Sequence, residues 1–144
     1  MKIRLIDREN IIYLVDNLEN FEKDSAIKSG LRAAVQVFRT GGRGRLGQRL
    51  KRTGRTTNHL LNSFTTRVKR TKLGSLAGFD RPGGNHAHLV DQGTKRRYTK
   101  SGAYRGIMPG NHFWEDTRNQ DEGKALSKLQ QGVQRAVDRI NARR

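Results

Sequence analysis

Apolar positions in this chain fall into short sets, each with its own spacing. Ile3, Leu5 and Ile6 beside Lys2 and Arg4 predict a short first strand, ended by Asp7 as a helix N-cap and followed by a helix to about Asn17. Ile27, Leu31, Ala34, Val35 and Phe38 share one helical face, and the Gly41-Gly42 pair predicts the end of that second helix. Residues 60–69 alternate, with Phe64, Thr66 and Val68 on one side and Ser63, Thr65 and Arg67 on the other, as in a strand. A further strand over 74–79 leads into Asp80-Arg81-Pro82-Gly83-Gly84-Asn85, whose Pro-Gly step suits a tight turn. Residues 86–90 are expected to return antiparallel to it, and 102–109 read as a loop followed by an edge segment. Leu126, Leu129, Val133, Val137 and Ile140 trace the apolar stripe of a polar C-terminal helix.

These elements predict an α+β fold: a small, mostly antiparallel sheet flanked by N-terminal helices and a long C-terminal helix. With 144 residues and no internal repeat, the chain is expected to form one domain. Within it, residues 39–59 read as an extended basic Gly/Arg-rich loop or arm, and 121–144 as a C-terminal helical extension.

Charge changes the picture more than hydropathy does. The chain carries 30 Lys and Arg against 13 Asp and Glu, a net +17. Residues 1–27 hold 4 bases and 6 acids, 28–110 hold 19 bases and 2 acids, and 111–144 hold 7 and 5. The middle segment therefore carries the whole excess. Its densest stretch contains Arg39, Arg43, Arg45, Arg49, Lys51, Arg52 and Arg55 among five glycines and no acid. Self-repulsion and few apolar groups predict a mobile arm, ordered by an anionic partner. Its cations can meet phosphates, but with no aromatic residue to stack on bases the segment predicts no sequence readout; a solvated, partner-facing surface is the other reading. A second basic loop, Lys95, Arg96, Arg97, Lys100 and Arg105, is interleaved with Tyr98 and Tyr104.

Candidate chemistry is sparse. The absence of cysteine excludes disulfides, Cys-ligated zinc and thiol catalysis. Gly42 to Gly47 satisfies GxGxxG, but it follows a predicted helix instead of a strand and lacks an acid at the spacing a dinucleotide needs. His86, His88 and His112 lack companion ligands at a familiar metal-site spacing and read as ordinary polar histidines. Glu115-Asp116 and Asp121-Glu122 read as acids favouring the positive end of a helix dipole. Phe113 and Trp114 read as anchors of the last helix. The expectation is a non-enzyme without a cofactor. No apolar run approaches the roughly 20 residues of a membrane span, and MKIRLIDREN has no signal-peptide core, which predicts a soluble protein without a membrane partner.

Taken in order, MKIRLID with its spaced leucines, IKSGLRAAVQV at 27–37, the TGR step at 53–55 before Leu60, Ser63 and Phe64, and above all AHLVDQGT at 87–94 resemble the tail-completion family of long-tailed bacteriophages. Members of that family are also described as neck, head-tail joining or minor tail proteins. The family's apolar strand, acid and Gly-Thr correspond to Asp91, Gly93 and Thr94, and its later Pro and aromatic-led helix to Pro109 and Phe113. The likeness spans roughly residues 2–118. It departs at Gln92, at the Gly110-Asn111-His112 spacer, and in a longer, more basic 39–59.

The resemblance implies a structural virion protein at the head-tail junction, made in the host bacterial cytoplasm. It further implies a homo-oligomeric ring, a hexamer or dodecamer, that joins portal or adaptor proteins to the tail terminator or tube, with a basic loop near packaged DNA or acidic protein surfaces. On this reading Gly93 permits a backbone turn, and Asp91 and Thr94 satisfy nearby backbone groups. The alternative is a small basic protein that binds nucleic acid without sequence preference.

Overall fold

A computed structural model of the chain describes residues 8–50 and 59–143. The fold is α+β, built on two long antiparallel-running helices with small strand pairs beside them. The predicted first strand, the Asp7 cap, and Lys51, Arg52 and Arg55 lie outside the described residues.

Helix α1 (Arg8–Val15) leads through a turn into α2 (Asn20–Arg49), 30 residues long. The predicted stripe holds, since Ile27, Leu31, Ala34, Val35 and Phe38 are all buried. The predicted end at Gly41-Gly42 is a correction: the helix continues for two further turns. These glycines serve close approach. A Cβ on Gly42 would sit 2.9 Å from the Trp114 ring and 3.0 Å from that of Phe64, and one on Gly41 would strike the Asp121 carboxylate. The helical cost of glycine, about 1 kcal/mol each, is offset by the contacts that only a bare backbone allows.

Helix α5 (Phe113–Asn141) lies along α2 and makes the main tertiary contact of the molecule. The two backbones meet at Gly30 and Gly132, where a Cβ on Gly132 would lie 2.8 Å from the Gly30 Cα. Ala125, Leu129, Val133 and Val137 are buried there with Leu31, Ala34, Val35 and Phe38, and α1 adds Ile11 and Val15. Residues beyond Asp121 thus continue one helix whose stripe belongs to the main core.

Between the long helices come α3 (His59–Asn62), β1 (Phe64–Val68) and β2 (Ser75–Phe79), the strands antiparallel with Phe64 opposite Phe79. The strand predicted from residue 60 starts only at Phe64, because Leu60 belongs to a helical turn that the Ser63 hydroxyl and amide close by donating to the Leu60 carbonyl. Residues 86–90 are a second correction: they begin α4 (Ala87–Gln92), not a returning strand. Helical geometry buries Ala87 and Asp91 on one side and leaves Leu89, which strand alternation would place on their face, exposed. Finally β3 (Arg97–Tyr98) pairs with β4 (Tyr104–Gly106) in a separate two-stranded ladder, so the predicted single sheet is two ribbons.

Candidate interaction ribbon and its socket

A second core unites the elements that carry the β3–β4 ribbon. Phe113 is fully buried, its ring centroid 6.3 Å from Phe64 and 5.8 Å from Phe79, with Leu46, Leu60 and Ala87 around it. Trp114 closes the group at 5.6 Å from Phe79. Four aromatic side chains thus pin the start of α5 against β1 and β2, and burial of Phe64 and Phe113 contributes roughly 1.5–3 kcal/mol each, the half-buried Phe79 and Trp114 less.

The five residues singled out as a motif converge beside that core. The Asp91 Oδ1 accepts the backbone amides of Trp114 at 2.8 Å and Glu115 at 3.3 Å. It caps α5 from a different helix, where His112, in the left-handed region at φ 53°, provides no side-chain cap. A buried carboxylate at a helix N-terminus gains from both the orphan amides and the dipole. Gly93 has φ +82°, and a Cβ there would lie 2.5 Å from the Gly110 amide and 2.6 Å from the Met108 carbonyl. Gly93 and Pro109 form a β-bridge. Next to it, the Thr94 amide donates to the Met108 carbonyl at 2.8 Å, and the Met108 amide donates to Thr94 Oγ1 at 3.0 Å. The two ends of the segment between Thr94 and Met108 are therefore clamped together at a rigid socket.

From this socket the ribbon projects. Its substantial packing among the described residues is between its own two strands. The tip is closed locally: the Thr99 amide donates to the Ala103 carbonyl at 2.8 Å, and the Ala103 amide donates to Thr99 Oγ1 at 2.9 Å. Lys95, Arg96, Arg97, Lys100 and Arg105 are all exposed. Tyr98 and Tyr104 face each other across the strands at 5.6 Å, each 58% exposed, and Ile107 is 54% exposed. A preformed, satisfied backbone thus presents cations and apolar groups that its own fold leaves uncovered.

The first basic segment is different from the predicted arm. As far as Arg49 it is the C-terminal part of α2, and Arg45 and Arg49 are committed inward. Arg45 makes a bidentate pair with Asp121 at 2.6 and 3.1 Å, and also donates to Thr117 Oγ1 at 3.1 Å and Gln120 Oε1 at 3.0 Å. The hydrogen bond to Asp121, opposed by burial and reinforced by the charges of Asp121 and Asp116, pushes the guanidinium further up from its ordinary value, so it stays cationic. Arg49 pairs with Asp116 at 2.7 Å and donates to the Asn111 carbonyl at 2.7 Å, which tethers α2 to the spacer before Phe113. Helix formation brings these acids within reach, and pairing removes the self-repulsion that predicted disorder. Asp121, read as a dipole acid, serves instead as a partner in this tether. Arg39 and Arg43 remain on the outer side of α2 around a shallow depression with Gln36.

The GxGxxG string is helical throughout and lacks the strand-to-helix turn of a dinucleotide site. Among the described residues no three His, Cys, Asp or Glu side chains gather to hold a metal, and no helix is long and apolar enough to cross a membrane. His112 Nδ1 lies 2.9 Å from Glu115. Sequence reasoning missed the inward roles of Arg45 and Arg49; their i, i+4 spacing, matched by Asp116 and Asp121 on another helix, is the signal that could have found them.

The chain matches no protein-family model, no curated protein and no solved structure at a significant level.

Proposed function

We propose that this protein is a non-enzymatic assembly component of a tailed bacteriophage, forming a homo-oligomeric ring at the junction of head and tail. The observation that carries this reading is the ribbon on its socket. Asp91, Gly93, Thr94, Pro109 and Phe113, the residues on which the resemblance to tail-completion proteins rests, cooperate in holding out an exposed strand pair. A protein that acts alone gains nothing from uncovered tyrosines and an isoleucine on a rigid projection, whereas a subunit needs such groups to meet a neighbour. Heterologous contacts of this kind form a ring when the rotation between neighbours closes.

Electron microscopy and sedimentation of the purified protein, alone and mixed with phage heads and tails, test the proposal. Rings, or stable addition to either particle, are expected. A strict monomer that stays monomeric with both would overturn it.

One observation favours a second reading, a nucleic-acid binder without sequence preference: five cations surround the two tyrosines of the ribbon, with no acid between Gln92 and Asn111. Such a binder, using roughly 6–10 phosphate contacts, would lose about 10³–10⁵ in affinity between 50 and 200 mM salt. A connector is expected to show only weak binding to free DNA.

A further inference from the structure

The molecule has a second uncovered apolar region, at the elbow between α1 and α2. Tyr13 is 83% exposed, Phe21 69% and Ile12 47%, all within ten residues of chain around one turn. Tyr13 also lines a shallow groove between α1 and α5 with Leu14 and Gln134. The charge around this region is opposite to that of the ribbon. From Glu9 to Asp24 the chain has five acids and a single base, Lys23, a net of −4. From Gln92 to Asn111 it has five bases and no acid. In a protein of +17, an acidic surface with aromatic residues at its centre is a local exception.

We propose that the elbow is the docking surface for the β3–β4 ribbon of a second copy of this chain. Tyr98, Tyr104 and Ile107 of one copy cover Tyr13, Phe21 and Ile12 of the next, while Arg96, Arg97 and Arg105 lie against Glu9, Asp16 and Asp24. Apolar burial supplies the affinity, and the rim charges set orientation and exclude ribbon-to-ribbon or elbow-to-elbow pairing, which would bring like charges together. The two surfaces differ, so the contact is heterologous and each subunit keeps one free ribbon and one free elbow until the ring closes. This inference rests on the ring reading above and names the interface that forms it.

Paired charge reversals test it. The ribbon variant carries Arg96→Glu, Arg97→Glu and Arg105→Glu; the elbow variant carries Glu9→Lys, Asp16→Lys and Asp24→Lys. These positions are exposed, and unchanged thermal unfolding checks that both variants fold. Each alone is expected to sediment as a monomer under conditions where the wild type forms rings. An equimolar mixture restores ring mass, because every contact in an alternating ring then joins opposite charges. A second measurement is independent of these charges: in a chain without cysteine, Tyr13→Cys with Tyr104→Cys should yield a ladder of covalent oligomers with a flexible bismaleimide. Rings formed by either reversal variant alone, or a mixture that stays monomeric beside wild-type rings, would overturn this interface and leave the ring reading intact. A wild type that is monomeric even with heads and tails would remove both.

Discussion

Asp91 performs at a distance what an N-cap residue ordinarily performs within its own helix. Asp91 is 8% exposed, and its carboxylate takes two of the orphan amides of α5 while its own carbonyl accepts the His112 amide at 2.9 Å. Removing it leaves those amides buried without an acceptor. Asp91→Ala is expected to destabilise the protein by about 1–2 kcal/mol, and Asp91→Asn by less, since an acceptor remains and only the charge at the dipole is lost. Gly93→Ala belongs to the same socket and carries two penalties, a left-handed φ and a Cβ driven into the Met108 carbonyl and the Gly110 amide. A loss of about 2 kcal/mol or more is expected. Thermal or urea unfolding of the three variants checks the ordering, with Asp91→Asn the mildest; Gly93→Ala at wild-type stability would mean that the turn is not held as described.

At the scale of elements, the second half of α2 separates what was legible in the sequence from what was not. The stripes of α2 and α5 could be read because each helix buries one continuous face, and the β1–β2 pair because Phe64, Thr66 and Val68 alternate with polar residues. Gly41 and Gly42 misled because a glycine pair ends a helix unless another element needs the space, and that element, the start of α5, lies more than 70 residues away. Residues 86–90 misled for a related reason: five residues are too few to distinguish alternation from a single helical turn, and only Asp91 reaching Trp114 decides the matter. The socket residues were legible as a set through the family resemblance, whereas the tether of Arg45 and Arg49 to α5 depends on two acids far away in sequence. Deleting residues 41–52 tests this directly. The deletion removes buried Gly42 and Leu46 and both arginine pairs, so loss of the cooperative thermal transition is expected. A dispensable arm would leave the transition in place, and that outcome would contradict the helical tether.

On the scale of the whole molecule, the net +17 divides into charges that hold the fold together and charges that face outward. Arg45 and Arg49 stitch α2 to α5, whereas the five cations of the ribbon meet no acid among the described residues and lie opposite in sign to the elbow. On the proposed reading, fold stability and assembly are carried by different parts of the chain and should be separable. The socket makes the separation practical, because Thr94 and Met108 are already paired and the ribbon beyond them packs mainly on itself. Replacing residues 96–106 by Asn-Gly leaves Lys95 and Ile107 flanking a two-residue hairpin turn, a connection that suits antiparallel neighbours. The shortened protein is expected to unfold within a few degrees of the wild type, since roughly 3 °C accompanies each kcal/mol in a domain of this size and the excised strands bury little of the core. Its assembly into rings is expected to be abolished. Scanning calorimetry together with sedimentation checks both halves: a large fall in unfolding temperature would assign the ribbon to the core, and rings that persist without it would assign assembly to another surface.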